Sequence, residues 1–394
     1  MTRHKRITFP EVLVLALLAV LAAYLLQRYA GEEAGGFGET AERIAQTETS
    51  TAQEPPPSIA WDEDTLIAEL CRGIEDEKAA ITFPYDCTGS LFDAFHRVLA
   101  DHPEYFWLTG SGSYTKKISE TGTTVVFTPD TLIPREEIDR RRAALRERVD
   151  EILARAEAYP TDYERLLFLH DLLVDDTDYD AETADGMTGA VTSDAVSQAT
   201  GAFGCLVNRR AVCSGYAAAY QLLLARLGIP CRRVQGTETQ TGEAHEWNIV
   251  CLAGDWVHVD VTWDDPVFTG DMNGSDGWRS YDYFCVTTDE IARTHIFEQD
   301  SIPPCVTDAY GYYQVNGLTL GEYTYDTASA LISRQVGADC IRLKFPDEDA
   351  LVPAVTDLIE RRKIFDIPAV ESSGARSLRY SASDMGSLTV WLLP

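Results

Sequence analysis

A helix followed by a tight hairpin, between residues 211 and 263, constrains the fold of this chain more than any other segment. The stretch AVCSGYAAAYQLLLARLGIPC repeats apolar side chains at helical spacing from Tyr216 onward, until Gly228 ends the helix. The stretch AHEWNIVCLAGDWVHVDVTW reads as two antiparallel strands that turn at Ala253-Gly254. This combination is typical of a mixed α+β fold.

The two-residue turn fixes the register of the hairpin. The predicted strands cover about 246–252 and 256–263, and counting back from the turn pairs Trp247 with Asp260. His245 then shares a face with Asp260 and lies diagonal to it, at a separation that two side chains on a twisted sheet can bridge. A carboxylate on one ring nitrogen fixes the tautomer of a histidine, so that the other nitrogen can accept a proton from a nucleophile.

Cys213 falls where the loop becomes the helix. In the first turn, N–H groups without intrahelical partners and the positive end of the helix dipole stabilise a thiolate and can bind a developing oxyanion. Small neighbours such as Ser214 and Gly215 leave room above the sulfur. By itself such a cysteine is more often a core residue, and His245 and Asp260 are by themselves more often structural. The combination of the three predicts a Cys-His-Asp triad.

Three motifs, in the order VCSGYA, HEWN and WVHVDVTWDDP, resemble the catalytic core of the transglutaminase-like superfamily of papain-like thiol enzymes. The resemblance places the family's triad on Cys213, His245 and Asp260. It covers residues 60–295, because HPEYFWL at 102–108 and two further stretches, LHDLLVDDTDYD and YDYFCVTTDEI, are similar to flanking parts of bacterial members. The resemblance implies a papain-like core, peptide or protein amides as substrates, and a thioester intermediate.

The resemblance leaves the reaction open. Water as acceptor gives a peptidase or a deamidase, and an amine gives a transglutaminase; the greater abundance of water favours hydrolysis. The alternative function is a catalytically silent protein-binding module at the cell surface, since some family members have lost their triads. All three triad positions are filled here, which favours a cysteine hydrolase or acyltransferase.

Other polar residues near the motifs receive structural interpretations. His258 lies between two strand residues and is expected to pack and to form hydrogen bonds. Glu246 stands where the family often has a small residue, and strand alternation points it away from His245. The side chain that completes the oxyanion hole has no recognisable motif, and Asn208 is only a weak candidate.

Metal and cofactor sites are not expected. An EF-hand loop that starts at Asp176 would carry Ala181 and Met187 where it requires Gly and Glu. The nine cysteines form no CxxC pair, which excludes a zinc ribbon and a thioredoxin-like motif. Three of them lie in apolar runs and are expected to be small buried hydrophobic residues: Cys231, Cys251 and Cys340.

The N-terminus carries an export signal. Basic residues precede an apolar run from Val12 to Leu26, and no clean small-x-small cleavage site follows. We therefore expect residues 1–30 to form an uncleaved single-pass anchor in the cell membrane, with everything after Arg28 outside the cytoplasm; a cleaved signal peptide would make the protein secreted. Residues 31–60, poor in large apolar side chains, predict a disordered linker.

The folded body is predicted in three parts. An N-terminal α+β region covers 61–160, the catalytic core 161–300, and a small C-terminal α+β domain 318–394. The net charge of −30 argues against a nucleic-acid partner, because binding to phosphates requires clustered Lys and Arg. An exported position favours extracellular protein or cell-wall peptide as substrate.

Helical spacing predicts helices at 62–80, 89–101, 134–158 and 162–174. The third of these carries an apolar stripe at Leu145, Val149, Ile152 and Leu153. The stretches PEYFWLTGSGSY, from Pro103, and TTVVFTP predict a strand pair, and DCIRLKF, SLRYSAS and LTVWLLP predict strands of the C-terminal domain.

Overall fold

The computed structural model describes residues 61–120, 122–186, 194–265 and 279–394. The predicted anchor and linker, residues 1–60, lie outside the described residues. Within the four described ranges, no helix is both long enough and apolar enough to cross a membrane.

Helices and strands alternate irregularly along the chain, which is the pattern of an α+β fold. The α-helices are α1 Glu63–Glu75, α2 Leu91–Asp101, α3 Arg135–Ala156, α4 Asp162–Asp176, α5 Ala181–Gly186, α6 Asp194–Thr200, α7 Cys213–Arg226, α8 Val261–Asp264, α9 Thr288–Ile291, α10 Tyr312–Val315, α11 Tyr325–Gln335, α12 Glu348–Ala354 and α13 Pro368–Ser373. The strands are β1 Ile81–Phe83, β2 Leu108–Ser119, β3 Gly122–Thr131, β4 Asp178–Tyr179, β5 Arg210–Ala211, β6 Cys231–Glu238, β7 Ala244–Leu252, β8 Asp255–Val259, β9 Phe284–Val286, β10 His295–Ile296, β11 Ile341–Lys344, β12 Ser377–Ala382 and β13 Ser387–Leu393.

The described residues divide into two compact units. The first unit holds the residues up to Ala158 together with those of Asp176–Gly228 and Gln240–Glu246, and the second holds Tyr159–Asp175, Ile229–Thr239 and those of Trp247–Pro394.

The first unit begins with α1, α2 and a three-stranded sheet in the order β1-β3-β2. Asp62 caps α1, because its carboxylate accepts the Thr65 N–H at 2.8 Å. Phe83, Phe95 and Phe127 are fully buried between the helices and the sheet. The two helices and the β2–β3 pair agree with the predictions from the sequence.

Two details of this region differ from the predictions. β1 was not predicted, because three residues are too few to show a periodic pattern. β2 begins at Leu108 and not at the Pro103 predicted from its motif, because backbone hydrogen bonds from Tyr105 to His102 and from Leu108 to Tyr105 form turns there.

The remainder of the first unit contains α3 and α7, both close to their predicted bounds. Pro134 precedes α3, where its missing N–H costs no helical hydrogen bond. Of the predicted stripe, Leu145, Val149 and Ile152 are buried, whereas Leu153 is only partly buried. α7 begins at Cys213, so the helix start predicted from the sequence is confirmed.

The second unit contains a five-stranded sheet in the order β10-β6-β7-β8-β9. β7 and β8 form the predicted hairpin, and Leu252 pairs with Asp255 in a register that continues unbroken to Asn248 and Val259. The turn residues have positive φ, 51° at Ala253 and 101° at Gly254, as a two-residue hairpin turn requires. The register predicted from the turn is therefore confirmed over these five pairs.

β8 ends at Val259, earlier than the predicted end at Trp263. The Asp260 carboxylate accepts the Trp263 N–H at 3.2 Å and caps the short helix α8. An Asp that caps the N–H three residues later is a helix-start signal, and it overrides the apolar alternation of the strand.

The C-terminal part of the second unit is a sheet in the order β11-β13-β12 covered by helices, with its own apolar cluster. Its strands agree with the predicted segments. Asp282, which is 4% exposed, accepts hydrogen bonds from Lys344 at 3.0 Å and from Ser387 at 2.7 Å. These two contacts join the C-terminal sheet to the segment that leads into β9. The mixed helices and strands of both units confirm the α+β class.

Candidate active site

Cys213 is the first residue of α7 and is partly exposed. The residue before it, Val212, has no side-chain oxygen that could cap the helix, so the first N–H groups are left to other partners. Gly215 is required for close packing, because a Cβ there would lie 2.4 Å from the Ala199 carbonyl oxygen. The first turn of α7 thus packs closely against the backbone at Ala199, and the small residues of the motif make this packing possible.

The helix is held in place by a buried hydrogen bond one turn from its start. The Tyr216 hydroxyl donates to the Thr177 carbonyl oxygen at 2.9 Å, and the side chain is 1% exposed. A buried polar group that is satisfied in this way orients the helix as well as stabilising it.

His245 lies near the start of β7 and is 6% exposed. Its neighbour Glu246 is also buried, at 8%. Cys213 and His245 both belong to the first unit, whereas Asp260 belongs to the second.

Asp260 is 1% exposed, and both oxygens of its carboxylate are engaged. One carboxylate oxygen accepts the Trp263 N–H, and the other accepts the Nε2–H of His295 at 3.0 Å. His295 is itself fixed on its other side, where Nδ1 lies 2.8 Å from Thr294 Oγ1. The carboxylate is therefore held in one orientation by its own unit.

No sequence pattern predicts the contact between His295 and Asp260. His295 lies in the two-residue strand β10, which pairs with the end of β6 through Glu238. No motif surrounds it, and the pairing joins residues that are far apart in the chain, so local patterns carry no signal for this contact.

His258 has the structural role expected from its position. Its Nδ1 accepts the indole N–H of Trp247 at 3.0 Å, and its Nε2 lies 3.3 Å from Thr288 Oγ1. Burial lowers the pKa of His258 to about 3. The ring therefore stays neutral at ordinary pH, as a hydrogen-bonded core histidine does.

A second buried pair connects α4 to the end of the WVHVDVTWDDP motif. His170 and Asp264 are fully buried and lie 3.1 Å apart, Nε2 to Oδ2, and the other nitrogen of His170 lies 3.1 Å from Asp171. Burial by itself lowers the pKa of His170, but the hydrogen bonds to Asp171 and Asp264 more than reverse this and raise it to about 9. The second acid of the motif thus pairs with a charged imidazole inside the second unit.

Asn208 ends a short π-helical segment, Gly204–Asn208. Its amide nitrogen donates to Gln198 Oε1 at 2.6 Å. One of the two N–H donors of the amide is thus used by Gln198, and this contact fixes the orientation of the Asn208 side chain.

All nine cysteines are free thiols. Cys340 is buried as expected, but Cys231 and Cys251 are only partly buried. Cys231 accepts a hydrogen bond from Asn248 Nδ2 at 3.4 Å, and burial raises its pKa. These thiols lack the helix start that distinguishes Cys213.

Residues 150–261 match the model of the Transglutaminase-like superfamily, a range that includes Cys213, His245 and Asp260. No curated protein sequence matches significantly.

Similar solved structures include the following two. One is described as a TGase, at 14% identity, with a TM-score of 0.29 over 49% of this chain and 53% of that chain. The other, from Cytophaga hutchinsonii, is provisionally named a cysteine protease, at 17% identity, with a TM-score of 0.25 over 39% of this chain and 63% of that chain. The alignments thus span less than two thirds of either relative. The family match, together with the α+β fold, shows that the chain contains a domain of the transglutaminase-like superfamily, at residues 150–261.

Proposed function

We propose that this protein is a thiol enzyme that acts on peptide or protein amides through Cys213, His245 and Asp260. The observation that carries the proposal is the place of Cys213, partly exposed at the first turn of α7 and inside the region that matches the family. The helix start stabilises negative charge on the sulfur and offers backbone N–H groups to a developing oxyanion.

In the proposed reaction, the Cys213 sulfur attacks the carbonyl carbon of an amide and His245 takes up the thiol proton. The tetrahedral intermediate collapses to a thioester, and His245 returns the proton to the departing amine. Water or a second amine then attacks the thioester. Asp260 holds the histidine in the required tautomer and stabilises its charged form. The rigid hold of Trp263 and His295 on Asp260 supports this role.

The proposed location is the outer face of the cell membrane, with the N-terminal segment as anchor. The basic residues before the apolar run of residues 12–26 support this orientation. The substrate would then be an extracellular protein or a cell-wall peptide, and hydrolysis is the favoured outcome because water is abundant there.

The test is an assay of the full-length protein with glutamine-containing peptides, with and without an added primary amine. Mass spectrometry separates cleaved, deamidated and amine-coupled products. We expect Cys213→Ser to abolish every product. Cys251→Ser is the matched control, since Cys251 is also a partly buried free thiol but lies within a strand.

The outcomes decide between the two functional classes. Turnover that depends on Cys213 supports the enzyme. Peptide binding without turnover, equal in wild type and Cys213→Ser, would instead establish the catalytically silent binding module.

A further inference from the structure

A second thiol in the first unit lies beside an imidazole, and it plays no part in the proposed function. Cys71, on α1, has its sulfur 3.5 Å from Nε2 of His102, the residue that ends α2. This distance is within hydrogen-bonding range for sulfur, so the thiol and the ring can exchange a proton directly.

The imidazole is fixed on its other side by a carboxylate. Nδ1 of His102 lies 3.3 Å from Oε1 of Glu104. The ring also stacks on Tyr105, with centroids 5.0 Å apart and planes 13° apart. Cys71, His102 and Glu104 therefore form a thiol–imidazole–carboxylate sequence, the arrangement in which a base activates a sulfur nucleophile.

The contacts of His102 favour its charged form. The hydrogen bonds to Cys71 and then to Glu104 raise the pKa of His102 to about 10. A protonated ring can donate from both of its N–H groups, to the carboxylate on one side and toward the sulfur or an incoming reactant on the other.

The site is open to small molecules. The side chains of His102 and Glu104 are 33% and 27% exposed, and Cys71 is partly exposed. Cys87, in the same apolar cluster, is fully buried. Accessibility and an adjacent cation are the two conditions for a selectively reactive cysteine.

The position of Cys71 within its helix favours oxidation of the sulfur over acyl transfer. It lies in the interior of α1, where backbone N–H groups are used by the helix and none is left for an oxyanion. Acyl transfer through a tetrahedral oxyanion would lack backbone stabilisation. Oxidation of the sulfur needs only a thiolate and a proton donor.

We propose that Cys71, His102 and Glu104 form a redox-modification site at which hydroperoxides oxidise Cys71 to a sulfenic acid. The thiolate attacks the terminal oxygen of ROOH, the O–O bond breaks, and RO⁻ takes a proton from the His102 imidazolium. The products are Cys71–SOH, ROH and neutral imidazole, so the sulfur loses the two electrons that the peroxide gains. Glu104 acts as a positioning residue for the ring.

The test treats the full-length protein with hydrogen peroxide, traps sulfenic acid with dimedone, and locates the adduct by mass spectrometry. We expect the adduct on Cys71 to form at pH 6, where a thiol with the ordinary pKa of ~8.5 is only about 0.3% ionised. His102→Gln should slow its formation at least about tenfold, and Glu104→Gln by a smaller factor. His96→Gln is the matched control, because His96 also lies on α2 but contacts the Gly110 carbonyl oxygen.

A pH profile separates this effect from misfolding. Iodoacetamide should label Cys71 of His102→Gln slowly at pH 6 but as fast as wild type at pH 10, where the thiol ionises without help. The proposal is overturned if Cys71 reacts no faster than Cys251 at pH 6, or if its reactivity is indifferent to His102→Gln. Oxidation of Cys71 should persist in Cys213→Ala and amide turnover in Cys71→Ser, so the two proposals can fail separately.

Discussion

Cys71 and Cys213 are both partly exposed helix cysteines, but the two helices treat them differently. Cys71 lies inside α1 and has a side-chain partner in its own unit, His102, which in turn contacts Glu104. Cys213 lies at the start of α7, where the partner offered by the helix is the backbone itself. The position of a thiol along its helix therefore determines which reaction the helix backbone can assist.

The largest expected effect is that of Asp260→Asn, which should lower amide turnover through Cys213 but leave the reactivity of Cys71 unchanged. Asp260→Asn keeps an oxygen that can cap α8 but removes the charge that stabilises an imidazolium. We expect amide turnover to fall by about 10²–10⁴, whereas Cys71 labelling is unchanged. Asp300→Asn, at an exposed acid, is the control. Steady-state kinetics measures the effect, and unchanged turnover in Asp260→Asn would remove Asp260 from the triad.

Cys87 allows a thiol that is buried to be compared with Cys71, a thiol that contacts an imidazole. Cys87 is fully buried, and burial raises its pKa to about 11. Because the thiol loses its proton only as the pH rises toward that value, we expect Cys87 to react with iodoacetamide at least about 100 times more slowly than Cys71 at pH 7. Peptide mapping after timed labelling measures both rates. Equal rates would mean that the apolar cluster around Cys87 opens freely.

The buried histidine behind Asp260 should have a smaller effect. His295→Leu removes a hydrogen-bond donor to the Asp260 carboxylate. We expect amide turnover to fall about tenfold. His295→Gln keeps a donor and should recover most of the rate. If both variants are equally impaired while their thermal midpoints match wild type, His295 does not act through its hydrogen bond.

The smallest expected effect tests the packing beneath Cys213. In Gly215→Ala the new Cβ meets a backbone oxygen that no rotamer change can move, and overpacking of this kind costs about 1–3 kcal/mol. We expect a lower thermal midpoint and a few-fold loss of Cys213 labelling, with Cys71 unaffected. Gly89→Ala, where a Cβ meets nothing within 4 Å, provides the baseline. Labelling of Cys213 at the wild-type rate would show that the helix start tolerates displacement.

Local chemistry made the β7–β8 hairpin and the end of α7 predictable. The Ala253-Gly254 turn fixed the hairpin register, and Gly228 marked the end of α7, because both adopt positive φ at punctuation points of the chain. β8 ends before the residue that its apolar alternation predicts, because Asp260 caps the helix α8 that follows. A carboxylate three residues before an N–H that needs a partner was the available signal.

Contacts between distant segments could not be predicted. His295 reaches Asp260 through a two-residue strand. Cys71 reaches His102 because α1 and α2 pack together, and neither residue stands out in its own helix. Hydrophobic periodicity determines which face of a helix is buried, but it does not determine which polar side chains meet when two such faces pack.

The hydrogen bonds of Asp282 have a consequence for how this chain can be shortened. Lys344 and Ser387 donate to the Asp282 carboxylate, and the carbonyl oxygen of the next residue, Tyr283, accepts the backbone N–H of Asp260. Strands β11 and β13 thus support the backbone of Asp260. The family match ends at residue 261. A truncation designed on that match would retain Cys213, His245 and Asp260 yet lose these contacts and Trp263, so the matched region is shorter than the part of the chain that holds Asp260 in place.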